Sequence, residues 1–151
     1  MIQPTASCPS RAPLTVRTAD IARLEPRSDD VIAFPDGLPG FEECRRFVMS
    51  SDGDHPFQCL EGLEASSPAF VTIDPARVLP GYRLILSPVD RRHLDAREED
   101  PLLWLAIVTV NPDETATVNL RAPIVINPRL MIGFQVMPHD CLYPLRHPLS
   151  I

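Results

Sequence analysis

Metal or nucleophile chemistry in this chain would have to come from very few side chains. His55 and Cys59 stand four residues apart, and His139 and Cys141 two apart, so either pair offers ligands of the kind zinc takes. Neither pair belongs to a two-pair array with zinc-finger spacing. The competing reading puts His55 in a polar turn and treats Cys59 and Cys141 as small buried apolar residues. The cysteines at 8, 44, 59 and 141 contain no C-x-x-C pair and lie too far apart for a small disulfide framework, which predicts reduced thiols in a cytoplasmic protein. Carboxylates cluster at Glu42-Glu43 and at Glu98-Glu99-Asp100, but turn formers and charges surround them. They lack the apolar setting that would raise a carboxylate pKa for acid catalysis. G-x-S-x-G, G-x-G-x-x-G and the Walker lysine are all missing. The expectation is no catalytic residue, no cofactor and no metal, with a metal- or thiol-dependent enzyme as the rival reading.

The elements that would position any site are short. The chain has 151 residues, 44% of them hydrophobic, enough for one domain with a core. Its 18 prolines run from Pro4 to Pro148 and cut it into segments too short for long helices. Residues 1–13, rich in proline and small polar residues, read as a flexible tail, with a β domain over 14–151. Strands are predicted at Leu14–Thr18, Ile21–Leu24, Val31–Phe34, Phe47–Ser50, Phe57–Leu63, Ala69–Ile73 and Tyr82–Leu86. A turn occupies 51–56, and a helical turn is expected at Glu42–Arg46. Pro88–Asp100 is charged and reads as a short helix or solvated excursion outside the sheet. Leu102–Val110 is apolar on both faces and should lie centrally. Thr115–Leu120, Ile124–Asn127 and Met131–Met137 complete the strands, and Tyr143–Pro148 is a tail packed along the surface. The fold class expected is all-β, mainly antiparallel: a small single-domain β-barrel-like fold with one or two short helices.

The net charge is −6, and all 14 basic residues are arginine. Such a balance disfavours direct binding of nucleic acid and suits a basic partner. No apolar run approaches the roughly 20 residues of a membrane helix, and residues 1–13 lack a signal-peptide apolar stretch.

Three motifs go beyond a generic β domain. Phe34-Pro35-Asp36-Gly37-Leu38-Pro39-Gly40-Phe41-Glu42, the run Ala116 to Asn127 (ATVNLRAPIVIN) and Tyr143 to Leu149 (YPLRHPL) occur in that order. Together they closely resemble the FliW family of flagellar assembly factors, over roughly residues 14–149. The 58–67 stretch and Cys141-Leu142 depart from the family pattern. The resemblance implies two partners, flagellin and the RNA-binding translational regulator CsrA, whose repression of flagellin synthesis the protein would antagonise. A flagellin-only chaperone is the alternative, and a cytoplasmic monomer is expected.

The contact residues expected are Asn119, Leu120, Arg121, Pro123 and Asn127, their neighbour Gln135, and Leu38 and Phe41 displayed by the proline-glycine turn. Pro123 cannot donate to a central ladder, so its segment is expected to start at a sheet edge, open to a partner strand or helix. Asn119, Arg121 and Asn127 are the expected surface positions. In the opposing view Leu120, Ile124 and Ile126 fill the core, and the Pro35–Phe41 turn serves only the fold. Arg146 and His147 are either recognition residues or a clamp on the chain end.

Overall fold

The computed structural model describes residues 31–51 and 55–149. The expected tail, the strands at Leu14–Thr18 and Ile21–Leu24, and the middle of the 51–56 turn lie outside these residues. Within them are nine strands and two short helices. The strands are β1 (Val31–Ala33), β2 (Arg46–Ser50), β3 (Phe57–Gly62), β4 (Ala69–Ile73), β5 (Leu103–Val110), β6 (Ala116–Val118), β7 (Ile124–Asn127), β8 (Ile132–Gln135) and β9 (His147–Pro148). The helices are α1 (Pro75–Val78) and α2 (Pro88–His93).

Neighbour pairing runs β4-β3-β2-β1-β8-β7-β5, and β5 pairs back onto β4, which closes a seven-strand ring. Every pair is antiparallel except β1 with β8, joined through Ala33 and Ile132. The expected all-β, mainly antiparallel barrel is therefore the observed architecture. Closure leaves the seven ring strands without free edges.

Strand alternation sorts side chains into an interior and an outer shell. Phe34, Phe47, Leu60, Phe70, Leu105, Ile107, Ile124 and Ile126 fill the interior. Phe34 meets Phe47 edge-on with ring centroids 5.0 Å apart, a favoured aromatic geometry. On the outside, Phe57, Val71, Ile73, Ala106 and Val108 are covered by Ala116, Val118, Leu120 and Leu149. A second outer cluster joins Val125 and Val136, with Trp104 and Phe134 at its margin, to Leu86 and Leu94 from the 86–94 segment. Both faces of β5 and β7 are thus buried, which is why their sequences are apolar throughout.

Three local expectations need correction. Glu42–Arg46 forms a turn leading directly into β2 rather than a helical turn. Tyr82–Leu86 is not a strand. Its alternation is real, with Leu86 buried and Arg83 and Ile85 exposed, but no neighbouring strand pairs with it. Side chains anchor it instead: Tyr82 Oη donates to Leu120 O at 2.7 Å, and Arg83 N donates to Tyr143 Oη at 2.9 Å. Asp74-Pro75 ends β4 and starts α1, because the Asp74 carboxylate caps Ala76 N and Pro75 fits the first helical turn. Cys141 is only half-buried.

Helix α2 begins where the charged excursion was expected. Ser87 and Asp90 form a reciprocal capping box, and Arg91, Arg92 and His93 sit at the C-terminal end, where the helix dipole favours cations. Leu94 is fully buried and pins the excursion to the barrel, whereas Val89 remains exposed.

Close approach inside the barrel requires glycine at position 133. A Cβ there would lie 2.4 Å from the Phe34 ring. Gly133→Ala is expected to destabilise the fold by about 1–3 kcal/mol, the usual cost of overpacking. Urea unfolding should show this loss, and Phe34→Leu in the same chain should recover part of it through coupling of the two sites.

Candidate functional site

The run from Ala116 to Asn127 is two strands on one edge of β5. Thr117 faces Thr109 and Val118 faces Val108, while further along Ile124 faces Leu105 and Val125 faces Trp104. An unbroken ladder from Val118 would bring Arg121 opposite Leu105, where Ile124 stands. The extra residues are extruded as a bulge between β6 and β7, a device that re-aims side chains.

Asn119 shapes this bulge. Its backbone N still donates to Ile107 O at 3.0 Å, and its side-chain Oδ1 accepts from Arg121 N at 3.1 Å and Ala122 N at 3.0 Å. This is the turn chemistry that asparagine favours. The Arg121 side chain is exposed, and its Nε donates to Tyr143 O at 2.9 Å. Leu120 points into the outer cluster and is fully buried. Its backbone is held from both sides, since Leu120 N donates to Pro144 O and Leu120 O accepts from Tyr82 Oη. The rings of Tyr82 and Tyr143 lie 4.5 Å apart. Burial pushes the Tyr82 hydroxyl well above the usual phenol range, so it stays a donor.

Pro123 marks the bulge and not a sheet edge. β7 is flanked by β5 on one side and β8 on the other, and Pro123 O accepts from Val136 N at 2.9 Å. Bulges are the other place where a strand tolerates proline, so the physical premise led to the wrong position. Gln135 is buried, and its Nε2 donates to Ala122 O at 2.9 Å, supporting the bulge from inside.

Asn127 is also corrected. It is fully buried at the far end of β7, where its Nδ2 donates to Leu94 O at 3.0 Å and its Oδ1 accepts from Arg129 N. Arg129 then pairs with Asp100 at 3.1 Å, so Asn127 and Arg129 clamp the excursion after α2. Leu38 is buried in the barrel interior and not displayed. The turn folds back through a Leu38–Phe41 bridge, and positive φ at Gly37 (64°) and Gly40 (86°) permits it. Phe41 is half-buried and meets Phe70 edge-on at 5.7 Å. The eight expected contact residues thus fall in three places. Asn119, Leu120, Arg121, Pro123 and Gln135 build the bulge, Asn127 lies beyond it, and Leu38 and Phe41 belong to the turn after β1. His147 pairs with Val118 in the short β6–β9 ladder, and Arg146 is exposed beside it.

Sequence reasoning missed two concavities. A recess of about 210 Å³ lies between α1, Tyr82–Leu84 and Trp104. A wider cleft of about 690 Å³ is lined by Phe41, Glu42, Glu43, Cys44, Glu64 and Pro68. The Cys44 thiol donates to Ser67 Oγ at 3.3 Å and Glu64 Oε1 at 3.4 Å, and Glu64 pairs with Arg46 at 3.0 Å. Burial, more than the neighbouring carboxylate, pushes the Cys44 thiol up. Both effects hold the sulfur as the thiol, and the thiolate is the nucleophilic form. Among the described residues, no group of three or more His, Cys, Asp and Glu side chains could hold a metal ion, and no helix is long and apolar enough to cross a membrane. The single clue to both concavities was the aromatics at 41, 82 and 104, too dispersed to be read as a group.

Because a raised thiol pKa lowers the thiolate fraction, native Cys44 should resist alkylation at about pH 8. Iodoacetamide labelling followed by peptide mass mapping is expected to modify Cys141 ahead of Cys44, with Cys44 reaching a matching rate only after unfolding. Equal rates in the folded chain would refute the assignment.

The family model described as "FliW protein" matches residues 15–149. Among curated relatives, the flagellar assembly factor FliW of Natranaerobius thermophilus is 32% identical over 139 residues, covering 90% of this chain and 92% of its own length. That of Clostridium botulinum is 35% identical over 128 residues, covering 83% and 90%. A crystal structure of the flagellar assembly factor FliW superposes with a TM-score of 0.76 at 32% identity, covering 84% of this chain and 90% of that one. With the family model matched over residues 15–149 and relatives above 30% identical over most of their length, the chain belongs to the FliW family of flagellar assembly factors.

Proposed function

We propose that this protein binds the translational regulator CsrA, relieves its repression of flagellin synthesis, and also binds flagellin as a chaperone-like partner. Family membership across residues 15–149 carries the reading. The resemblance noted in the sequence supplies the two partners, and the chain's charge of −6 supports the first of them. A regulator that holds RNA presents a basic surface, and an acidic protein docked beside it attracts that surface while repelling RNA phosphate. The protein acts in the cytoplasm as a monomer, on proteins and not directly on nucleic acid.

Arg121 is the contact residue best suited to recognition, since it is exposed on a turn fixed by Asn119, Tyr82 and Tyr143. A side chain whose backbone is already ordered loses less entropy on binding. Asn119 and Phe41 remain secondary contacts, and the buried Leu120, Pro123, Asn127, Gln135 and Leu38 contribute by holding the shape.

Calorimetric titration of CsrA and of flagellin tests both halves. Affinity for CsrA is expected to fall by at least about ten-fold between roughly 0.1 M and 1 M salt, as the Debye length shrinks from about 10 Å to about 3 Å. Arg121→Ala should cost a partner that uses the bulge more than about 1 kcal/mol, the scale of an interface anchor. Binding of flagellin without CsrA would reduce the function to a chaperone, and binding of neither would reject it.

A further inference from the structure

Among the described residues, the segment from Ser87 to Asp100 keeps its backbone hydrogen bonds to itself. Arg91 N donates to Ser87 O, Leu94 N to Asp90 O, Asp95 N to Arg92 O, Ala96 N to Arg91 O and Asp100 N to Arg97 O. Two side-chain bonds are internal as well: Arg91 Nη1 donates to Arg97 O at 3.2 Å, and Asp100 Oδ2 accepts from Arg97 N at 2.8 Å. None of the nine strands pairs with this segment. Helix α2 has no buried residue, and Leu94 is the one fully buried side chain between Ser87 and Asp100. Few buried apolar contacts and backbone bonds open to water are the signature of low local stability.

Among the described residues, side chains alone fasten the segment to the barrel. Leu86, just before it, and Leu94 join Val125 and Val136 in one small cluster, and the His93 ring lies 4.5 Å from Phe134. From the end of β7, Asn127 Nδ2 donates to Leu94 O at 3.0 Å. Arg129 donates through Nη2 to Asp95 O at 3.3 Å, and through Nη2 and Nε to Asp100 Oδ2 at 3.1 and 3.3 Å. Asp95, which this clamp grips, holds φ at 47° just after the α2 C-cap, where glycine is favoured. Closing therefore strains the backbone at the clamp, and opening relieves that strain. What closing hides is apolar. Val125 is fully buried and stands in register between Trp104 on β5 and Phe134 on β8, a row across three strands.

We propose that residues 87–100 form a strap that opens as one unit while the barrel stays folded, uncovering the Trp104–Val125–Phe134 row. The Arg129–Asp100 clamp sets how often it opens. Such a motion belongs to this chain alone and rests on neither partner named above.

Hydrogen exchange on the isotope-labelled full chain tests it. The amides of Arg91, Leu94, Asp95 and Ala96 are expected to share one opening constant, at least about a hundred-fold above that of the β5 amides, as for a unit that opens below the global level. Ile107→Val, in the barrel interior, should speed exchange of the β5 amides about two- to ten-fold and leave those four unchanged. Arg129→Ala should raise the opening constant of the four at least about five-fold, the scale of a charge-assisted pair, and Arg129→Lys should recover part of the loss. Alkylation of Val125→Cys, followed by peptide mass mapping, should rise by the same factor when Arg129→Ala is added. Three results would overturn the strap: Ile107→Val speeding the four amides as much as β5, opening constants that differ among the four, or Val125→Cys labelling that ignores Arg129→Ala. The exchange measurements keep valine at 125, so they decide the first two whether or not the cysteine variant folds.

Discussion

Everything the molecule displays is hung on the two edges of β5. One edge pairs with β4 through Val71–Val108, Thr72–Ile107 and Ile73–Ala106, and this pairing closes the ring. The other edge is shared, with Leu103–Leu105 taken by β7 and Val108–Val110 by β6. A strand with partners on both edges and apolar neighbours on both faces has no polar position to offer, and LWLAIVTV contains none beyond Thr109. Fully burying each large side chain there contributes about 1.5–3 kcal/mol. Dividing one edge between two strands forces the chain to step sideways between them, and that step is the Asn119–Pro123 bulge. The most distinctive surface feature is therefore a consequence of how the core closes.

The division also explains what could be read in advance. β5 and β7 announce themselves through apolar runs that no helix could interrupt with so many prolines nearby, and their bounds came within a residue of the observed ones. Pro123 carried a correct premise, that it cannot donate to a ladder, but the premise allows two positions and only register distinguishes them. Register is a long-range property, fixed here by Leu105 facing Ile124. Nothing local to residues 119–127 contains that information.

The remaining misreadings share one physical origin: residues typical of surfaces were used as internal fasteners. Asn127 spends its amide on Leu94 O, and Gln135 on Ala122 O, so two side chains that ordinarily face water hold irregular backbone against the barrel. Leu38 sits among turn formers that suggest display, yet the two glycines let the turn fold back and deliver it inward. Tyr82–Leu86 alternates like a strand because it lies flat on a half-buried surface, and alternation reports burial, not pairing. Its fastening by Tyr82 and Tyr143 involves partners 38 and 60 residues away in sequence, beyond the reach of any periodicity.

These fasteners converge on one region. Tyr82 holds the Leu120 carbonyl, Tyr143 holds Arg83 through its hydroxyl and Arg121 through its carbonyl, and Pro144 holds Leu120 N. The bulge, the 82–86 segment and the C-terminal segment therefore form one braced unit outside the barrel. Recognition through shape and charge is costly if a surface must first be ordered. Bracing removes that cost in advance around the exposed Arg121 and Arg83. The interior provides the rigidity on which an irregular outer layer is held.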